Sequence, residues 1–231
     1  MSAAPPPPPL RGGPPPPLSR GRIAAPRLYL ITPLVSDPAA LAPQLEAALG
    51  AADIAAVLLR LADADERTLI NRAKAIAGIV QRRDVALLLD GRPELAARAG
   101  ADGAHLTGIA ALQAALPSLK PGRIAGCGGL RSRHDAMLAG EADADYVMFG
   151  DPDRAGRRPP FAAVAERVAW WAELFEIPCV GYAASLDEVG PLVHAKADFV
   201  ALGDWIWTQT EPAAAVIASA AERLALPVES K

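Results

Sequence analysis

The feature that most constrains the fold of this sequence is an alternation, repeated eight times from residue 28 onward, of a short apolar segment with a longer, mostly Ala-rich stretch of helical spacing. Segments that are apolar at nearly every position are typical of strands buried on both faces, as parallel strands are. Eight such units over about 200 residues match a (β/α)8 barrel, whereas a doubly wound open sheet usually has about five to seven strands. The sequence therefore predicts an α/β protein built on a single (β/α)8 TIM barrel. The predicted strands are 28–32, 55–60, 86–89, 103–106, 123–127, 146–149, 178–181 and 199–202.

Helical spacing between these strands delimits seven helices, and two of them carry a recognisable start. Asp37 followed by Pro38 predicts an N-cap with proline in the first helical turn. Ser185 followed by Glu188 has the spacing of a capping box. The predicted helices are 38–49, 65–80, 93–99, 131–140, 161–175, 186–195 and 212–226.

The first 26 residues differ in composition from the rest, with proline runs at 5–9 and 14–17 and no apolar stretch of the kind found in secretory signals. Such a segment favours solvated polyproline II and cannot bury a core. We therefore predict a disordered Pro-rich tail at 1–26 and one barrel domain at 27–231. A docking arm for an unknown partner is the alternative interpretation of the tail.

Composition narrows the classes of partner. No uninterrupted apolar run approaches the roughly 18 to 20 residues of a membrane-spanning helix, and a net charge of −3 from 23 basic and 26 acidic residues disfavours binding to nucleic acid. Cys127 and Cys179 form neither a disulfide framework nor a zinc-ligand spacing. We expect a cytoplasmic protein with a small-molecule ligand and no nucleic-acid or membrane partner, and a homo-oligomer remains open.

Reactive groups in such barrels come from the carboxyl ends of the strands and the loops that follow them. The arginines found there are suited to anionic groups, because arginine binds phosphate through paired N–H donors. The aromatic ones could form a wall against a heterocycle. The candidates are Arg60, Asp90, Arg154, Arg157, Arg158, Tyr182, Gly203, Asp204 and Trp205.

Four motifs occur in register around the predicted barrel: LYLITP at 28–33, AGADGAHL at 99–106, ADYVMFG at 144–150 and AKADFVA at 195–201. Together they resemble the first, fourth, sixth and eighth strands of thiamine phosphate synthases and their relatives, the aminothiazole tautomerases. The resemblance extends over about residues 27–206. It implies the TIM-barrel fold independently of the strand count.

The resemblance also implies a reaction. Thiamine phosphate synthases join a hydroxymethylpyrimidine diphosphate to a thiazole phosphate and expel pyrophosphate, with magnesium neutralising the leaving group. By this resemblance Arg60 and Asp90 would be catalytic, with Asp90 as the ligand of Mg²⁺. The loop containing Arg154, Arg157 and Arg158 would bind the diphosphate. Tyr182 and the segment 203–205 would shape the thiazole side.

Several positions depart from the family pattern, and each departure removes a polar or backbone contact to substrate. The sequence has Ala62 where the family has lysine, Thr107 and Gly108 where it has a second metal-binding aspartate, Cys127 to Gly129 where it has a serine beside the pyrimidine, Ala183 and Ala184 where it has two glycines, and Asp204 where it has a serine. Two alternatives therefore stay open. One is a catalytically degenerate barrel that binds thiazole- or thiamine-type heterocycles, and the other is an isomerase or lyase that reuses the pocket.

Overall fold

A computed structural model describes residues 25–153 and 155–225, which form a closed barrel of eight parallel strands. Each strand pairs with its neighbours in chain order, and the last strand pairs with the first. The predicted TIM barrel is confirmed, and each predicted strand lies within three residues of an observed one. The strands are β1 Arg27–Val35, β2 Ile54–Leu61, β3 Ala86–Asp90, β4 Gly103–Thr107, β5 Ile124–Gly128, β6 Tyr146–Phe149, β7 Cys179–Ala183 and β8 Phe199–Leu202.

Eight helices in the described part of the chain cover the outside of the barrel. One of them, α4, was not delimited from the sequence, because Pro117 lies in its last turn and obscures the helical pattern. No helix within 25–153 and 155–225 is both long enough and apolar enough to cross a membrane. The helices are α1 Pro38–Ala51, α2 Glu66–Gln81, α3 Pro93–Ala99, α4 Ile109–Leu119, α5 Arg133–Glu141, α6 Phe161–Leu174, α7 Val189–His194 and α8 Ala213–Ala225, with short 3₁₀ turns at Leu186–Glu188 and Asp204–Trp207.

The two predicted helix starts have different outcomes. Asp37 caps α1 as expected, because its carboxylate accepts a hydrogen bond from the Ala39 N–H at 2.9 Å. The prediction of a capping box at Ser185 is wrong, because the Ser185 side chain makes no capping hydrogen bond. Its expected partner Glu188 binds Arg158 instead, and a charge-assisted bond of this kind outweighs a cap.

Apolar side chains fill two layers, one between the strands and the helices and one inside the barrel. The inner layer comes from alternate positions of the strands and includes the fully buried Tyr29, Tyr146 and Phe199. The interior is therefore solid, as is usual for this architecture. Sites in barrels of this kind lie at the carboxyl ends of the strands, where the candidate residues are. Residues 1–24 and 226–231, which include nearly all of the predicted tail, lie outside the described residues.

Candidate functional site

Three of the predicted charged residues meet at the carboxyl ends of β2, β3 and β8. Arg60 Nη1 donates to Asp204 Oδ2 at 2.9 Å, and Arg60 Nε lies 3.9 Å from Asp90 Oδ2. The backbone of β2 is held at this point because the Arg60 N–H donates to Thr32 Oγ1 at 3.0 Å. The guanidinium thus lies between two carboxylates and is about one-third exposed. An anionic ligand that binds Arg60 has to compete with Asp204.

A second cation, Arg158, lies at the carboxyl end of β7. Its Nη1 donates to both carboxylate oxygens of Glu188, at 3.1 and 2.8 Å, and its guanidinium carbon lies 5.5 Å from the centre of the Tyr182 ring. The Nε and Nη2 groups of Arg158 are buried and have no hydrogen-bond partner among the described residues. Buried N–H groups without partners are costly, so these two donors are suited to an anionic ligand.

Glu188 also contacts the backbone that follows β7. Its Oε2 accepts a hydrogen bond from the Ala184 N–H at 2.8 Å. Ala184 is one of the two positions at which the family has glycines. In this chain the Ala184 N–H is therefore already satisfied by a carboxylate of the protein.

The aromatic residues predicted on this side are held firmly in place. A Cβ at Gly203 would lie 2.0 Å from Tyr182 Oη, so the tyrosine hydroxyl rests directly on the glycine backbone. Trp205 Nε1 donates to the Ala183 carbonyl at 2.9 Å and thereby links the segment after β8 to β7. Burial raises the pKa of Tyr182, and Asp204 raises it further. Tyr182 is therefore neutral in the folded protein.

Inside the barrel, three polar side chains form a buried hydrogen-bonded series, which the sequence did not predict although His105 lies at a predicted strand end. Tyr29 Oη and Tyr146 Oη are 2.9 Å apart, and Tyr146 Oη is 2.8 Å from His105 Nδ1. The series extends toward the mouth at Asp151, whose carboxylate accepts from the Gly129 N–H at 3.0 Å. Its only signal in the sequence is the position of Tyr29, His105 and Tyr146 within otherwise apolar strands.

Comparison with known proteins identifies the family to which the barrel belongs. The family model described as thiamine monophosphate synthase matches residues 28–206, which includes every strand apart from the first residue of β1. The chain belongs to the thiamine monophosphate synthase family. The resemblance predicted from the four motifs is thereby confirmed.

Curated relatives cover the same part of the chain. It is 43% identical over 199 residues to the thiamine-phosphate synthase of Rhodospirillum centenum, covering 82% of this chain and 94% of the relative. It is 36% identical to the thiamine-phosphate synthase of Hyphomonas neptunium, covering 82% and 90%. Both matches extend over nearly the full length of the relative.

Solved structures support the fold at lower identity. The thiamine phosphate pyrophosphorylase of Pyrococcus furiosus superposes with a TM-score of 0.69 at 19% identity, covering 86% of this chain and 95% of that one. The 3-hexulose-6-phosphate synthase of Salmonella typhimurium superposes with a TM-score of 0.66 at 15% identity, covering 85% and 98%. These likenesses concern the barrel alone.

Three arginines in the segment after β6 were predicted to bind the diphosphate, and the structure describes two of them. Arg158 lies beside Tyr182, as described above. Arg157 is mostly exposed and pairs within its own loop, donating from Nε to Asp153 Oδ2 at 3.0 Å. Arg154 lies outside the described residues. Only Arg158 therefore has a described contact with the other residues of the candidate site.

In this member of the thiamine monophosphate synthase family, burial controls the charges of the hydrogen-bonded side chains inside the barrel and of Asp151 beside them. Desolvation lowers the pKa of His105, although Asp151 and Asp90 oppose that shift. Desolvation also raises the pKa of Asp151, which His105 partly offsets. Burial raises the pKa values of Tyr29 and Tyr146 well above the ordinary tyrosine value. The imidazole and both phenols are thus uncharged, as an apolar interior requires.

Both cysteines are expected to be unreactive in the folded protein. Cys127 and Cys179 are fully buried, and burial raises the pKa of Cys127 to about 12. Because the thiolate is the reactive form, a disulfide reagent at about pH 8 should label neither thiol in the native protein and both after unfolding. Absorbance of the released thiolate measures the labelling. Rapid labelling of the native protein would contradict the described burial.

Proposed function

We propose that this chain is a thiamine phosphate synthase, which joins a hydroxymethylpyrimidine diphosphate to a thiazole phosphate and releases pyrophosphate. The observation that carries the proposal is the position of Arg60, at the mouth of a barrel of this family and in contact with Asp90 and Asp204. Expulsion of pyrophosphate leaves positive charge on the pyrimidine and places negative charge on the departing group. A fixed cation at the mouth stabilises that separation of charge.

The arginines supply the cations for the leaving group in this mechanism. Arg60 binds the diphosphate after exchanging its contact with Asp204. The Nε and Nη2 of Arg158, which have no partner in the described part of the chain, offer two further donors. Arg154 and Arg157 belong to the same loop, and we assign them to the diphosphate with Arg158. Bidentate bonds from guanidinium groups hold phosphate oxygens more strongly than neutral donors do.

The donor set at the mouth fits a magnesium ion held partly by substrate. Magnesium commonly takes one or two carboxylates together with phosphate oxygens and water, and the Asp90 carboxylate lies at the end of β3 beside Arg60. The described residues contain no cluster of three acidic, histidine or cysteine side chains that would form a closed metal site. We therefore assign Asp90 as the magnesium ligand from the protein. The ion would neutralise charge on the diphosphate.

The thiazole is assigned to the side formed by β7 and β8. Tyr182 supplies a buried aromatic ring, and Gly203 allows that ring to lie against the backbone. Asp204 and Trp205 follow on the 3₁₀ turn and would border the thiazole. We also propose a cytoplasmic location, because a reducing compartment preserves the two free thiols.

A binding protein without catalytic activity is the second candidate, and one observation favours it. The guanidinium groups of both Arg60 and Arg158 already contact carboxylates of the protein, Asp204 and Glu188. If these pairs persist when ligand binds, the mouth suits an uncharged heterocycle better than a phosphate. The two candidates differ in whether product forms.

The test is product formation by the purified protein. With hydroxymethylpyrimidine diphosphate, thiazole phosphate and magnesium, we expect thiamine phosphate, detected by chromatography, and none after chelation of the metal. The Asp90→Asn variant should lower kcat/KM by at least about tenfold, a loss typical of altered metal surroundings. Its matched control is Asp53→Asn, since Asp53 is mostly exposed at the opposite end of the barrel.

The outcomes separate the two candidates. Magnesium-dependent product from the folded protein supports the synthase. No product, together with calorimetric binding of thiazole, would favour the binding protein. Unchanged turnover in Asp90→Asn would remove Asp90 from the magnesium site while leaving the proposed reaction in place.

A further inference from the structure

A groove lies on the helical layer between α2 and α3, outside the barrel and apart from the candidate site at the strand ends. It encloses about 450 Å³ and is lined by Arg67, Ile70, Asn71, Lys74 and Arg98. Pockets that hold organic ligands usually have volumes of about 300 to 1,000 Å³. The α2/α3 groove, defined by these five residues, is therefore large enough for a small organic molecule.

The spacing of residues along α2 explains why polar side chains meet here. Arg67, Asn71 and Lys74 follow one another at intervals of four and three residues, which places them on one face of the helix. Ile70 lies between them and is mostly buried, so it forms an apolar floor. Arg98 is added from the last turn of α3. Three cations and one amide thus surround a small apolar surface.

The positive charge of the α2/α3 groove is only partly neutralised by the protein. Arg98 pairs with Glu66, and both side chains are more than half exposed. The side chains of Arg67 and Lys74 form no ion pair with any residue that the structure describes. The chain as a whole carries a net charge of −3, so this excess of cations runs against the overall charge. A local positive potential of this kind attracts anions.

We propose that the α2/α3 groove binds a small organic anion with two or more phosphate groups, at a site separate from the barrel mouth. Arg67 and Lys74 are seven residues apart, or about 10 Å along the helix axis. A chain of two or three phosphates can reach both cations, whereas a single phosphate contacts only part of that span. Guanidinium groups bind phosphate oxygens in pairs, and the ammonium group of Lys74 adds a point charge. The organic part would lie on Ile70 and Asn71.

Arg98 has to exchange Glu66 for the ligand in this site. The exchange costs little, because exposed ion pairs contribute little to stability. Glu66 consequently competes with the anion for Arg98. Its removal is therefore expected to strengthen binding, which is the opposite of what loss of a merely structural contact would do.

The test is calorimetric titration of the full-length protein with inorganic triphosphate, in the presence of a chelator that removes magnesium. We expect the Arg67→Ala/Lys74→Ala double variant to bind at least about tenfold more weakly, because two charged contacts are lost. Glu66→Gln should bind about two- to fivefold more tightly, the factor that one exposed ion pair represents. The matched control is Arg82→Ala/Arg83→Ala, which removes the same charge from two exposed residues outside the groove. It should bind within about twofold of the unaltered protein.

Two further titrations assign the binding to the groove and identify the source of the anion. Because the mouth also contains arginines, the titration is repeated in Arg60→Ala, where binding at the groove should persist. Adenosine diphosphate and thiamine diphosphate then replace the inorganic probe. Tighter binding of either compound, lost in Arg67→Ala/Lys74→Ala, would show that the organic part contributes and would tell a nucleotide from a thiazolium compound.

The results also separate this inference from the proposed function, on which it does not depend. Triphosphate binding that requires Arg67 and Lys74, in a protein that forms no thiamine phosphate, would support the groove and refute the reaction. Equal weakening in both double variants would overturn the inference, because only net charge would then matter. Complete loss of binding in Arg60→Ala would overturn it as well, since the probe would then bind at the mouth.

Discussion

Replacement of Arg60 by alanine is expected to lower kcat/KM for thiamine phosphate formation by about 100- to 1,000-fold, the range typical when a preorganised group that stabilises transition-state charge is removed. Arg60 is the cation between Asp90 and Asp204, so its loss leaves two carboxylates facing the diphosphate. The measurement is initial-rate kinetics at saturating magnesium. Most of the loss should appear in kcat, because charge on the leaving group grows in the transition state.

Two further variants test this interpretation of Arg60. Arg60→Lys should retain part of the activity, because lysine keeps the charge but not the planar pair of donors. Arg82→Ala should be fully active, since Arg82 is mostly exposed and pairs with Glu46 on the helical layer. Activity of Arg60→Ala within a factor of about three of the unaltered protein would exclude Arg60 from the leaving-group site.

The second large effect concerns stability rather than activity. Substitution of Gly103 by alanine is expected to lower the free energy of unfolding by about 3 kcal/mol or more, at the upper end for overpacked cores. A Cβ at Gly103 would lie 2.1 Å from the Ile124 carbonyl oxygen and 2.7 Å from its carbonyl carbon. Gly103 and Ile124 are paired between β4 and β5, so the clash can be relieved only by moving backbone. Urea denaturation followed by circular dichroism measures the change.

Gly78→Ala is the matched control for this prediction. Gly78 lies inside α2, and a Cβ there would meet no atom within 4 Å. Alanine should therefore stabilise the protein by about 0.5 to 1 kcal/mol, through helix propensity and a less flexible unfolded chain. Equal stability of the Gly103 and Gly78 variants would show that the β5 backbone moves to relieve the clash more easily than the described packing implies.

The barrel and part of the site could be predicted from the sequence because parallel strands impose a simple geometry. Each strand is short, nearly all apolar and followed by polar residues, so charged residues at neighbouring strand ends are expected to lie together. Arg60, Asp90 and Asp204 do meet at the mouth, as this rule predicts. Their roles in catalysis stay predictions.

The contacts that complete the site depend on three-dimensional details that spacing does not contain. Glu188 was assigned to a helix cap, but the guanidinium of Arg158 lies close enough to bind it instead. Asp151 was not assigned to the site from the sequence. Its position beside His105 depends on the missing side chain of Gly128, a feature of the folded barrel.

The departures from the family pattern are easier to interpret with these contacts known. A second glycine is missing after β7, and the Ala184 N–H is satisfied by Glu188. A serine is missing at the end of β5, and the Asp151 carboxylate packs against the Gly128 backbone. In each case a carboxylate from another part of the chain lies where the sequence alone indicated a loss.

The solid interior of the barrel has a consequence for the direction in which reactants travel. Tyr29, Tyr146 and Phe199 are fully buried and close the barrel below the strand ends. Substrates assigned to the mouth therefore lie across the rim and cannot enter along the barrel axis. If the substrates bind at the mouth as proposed, both reactants and both products use the same side of the barrel, and pyrophosphate and thiamine phosphate leave on the side from which the substrates arrived.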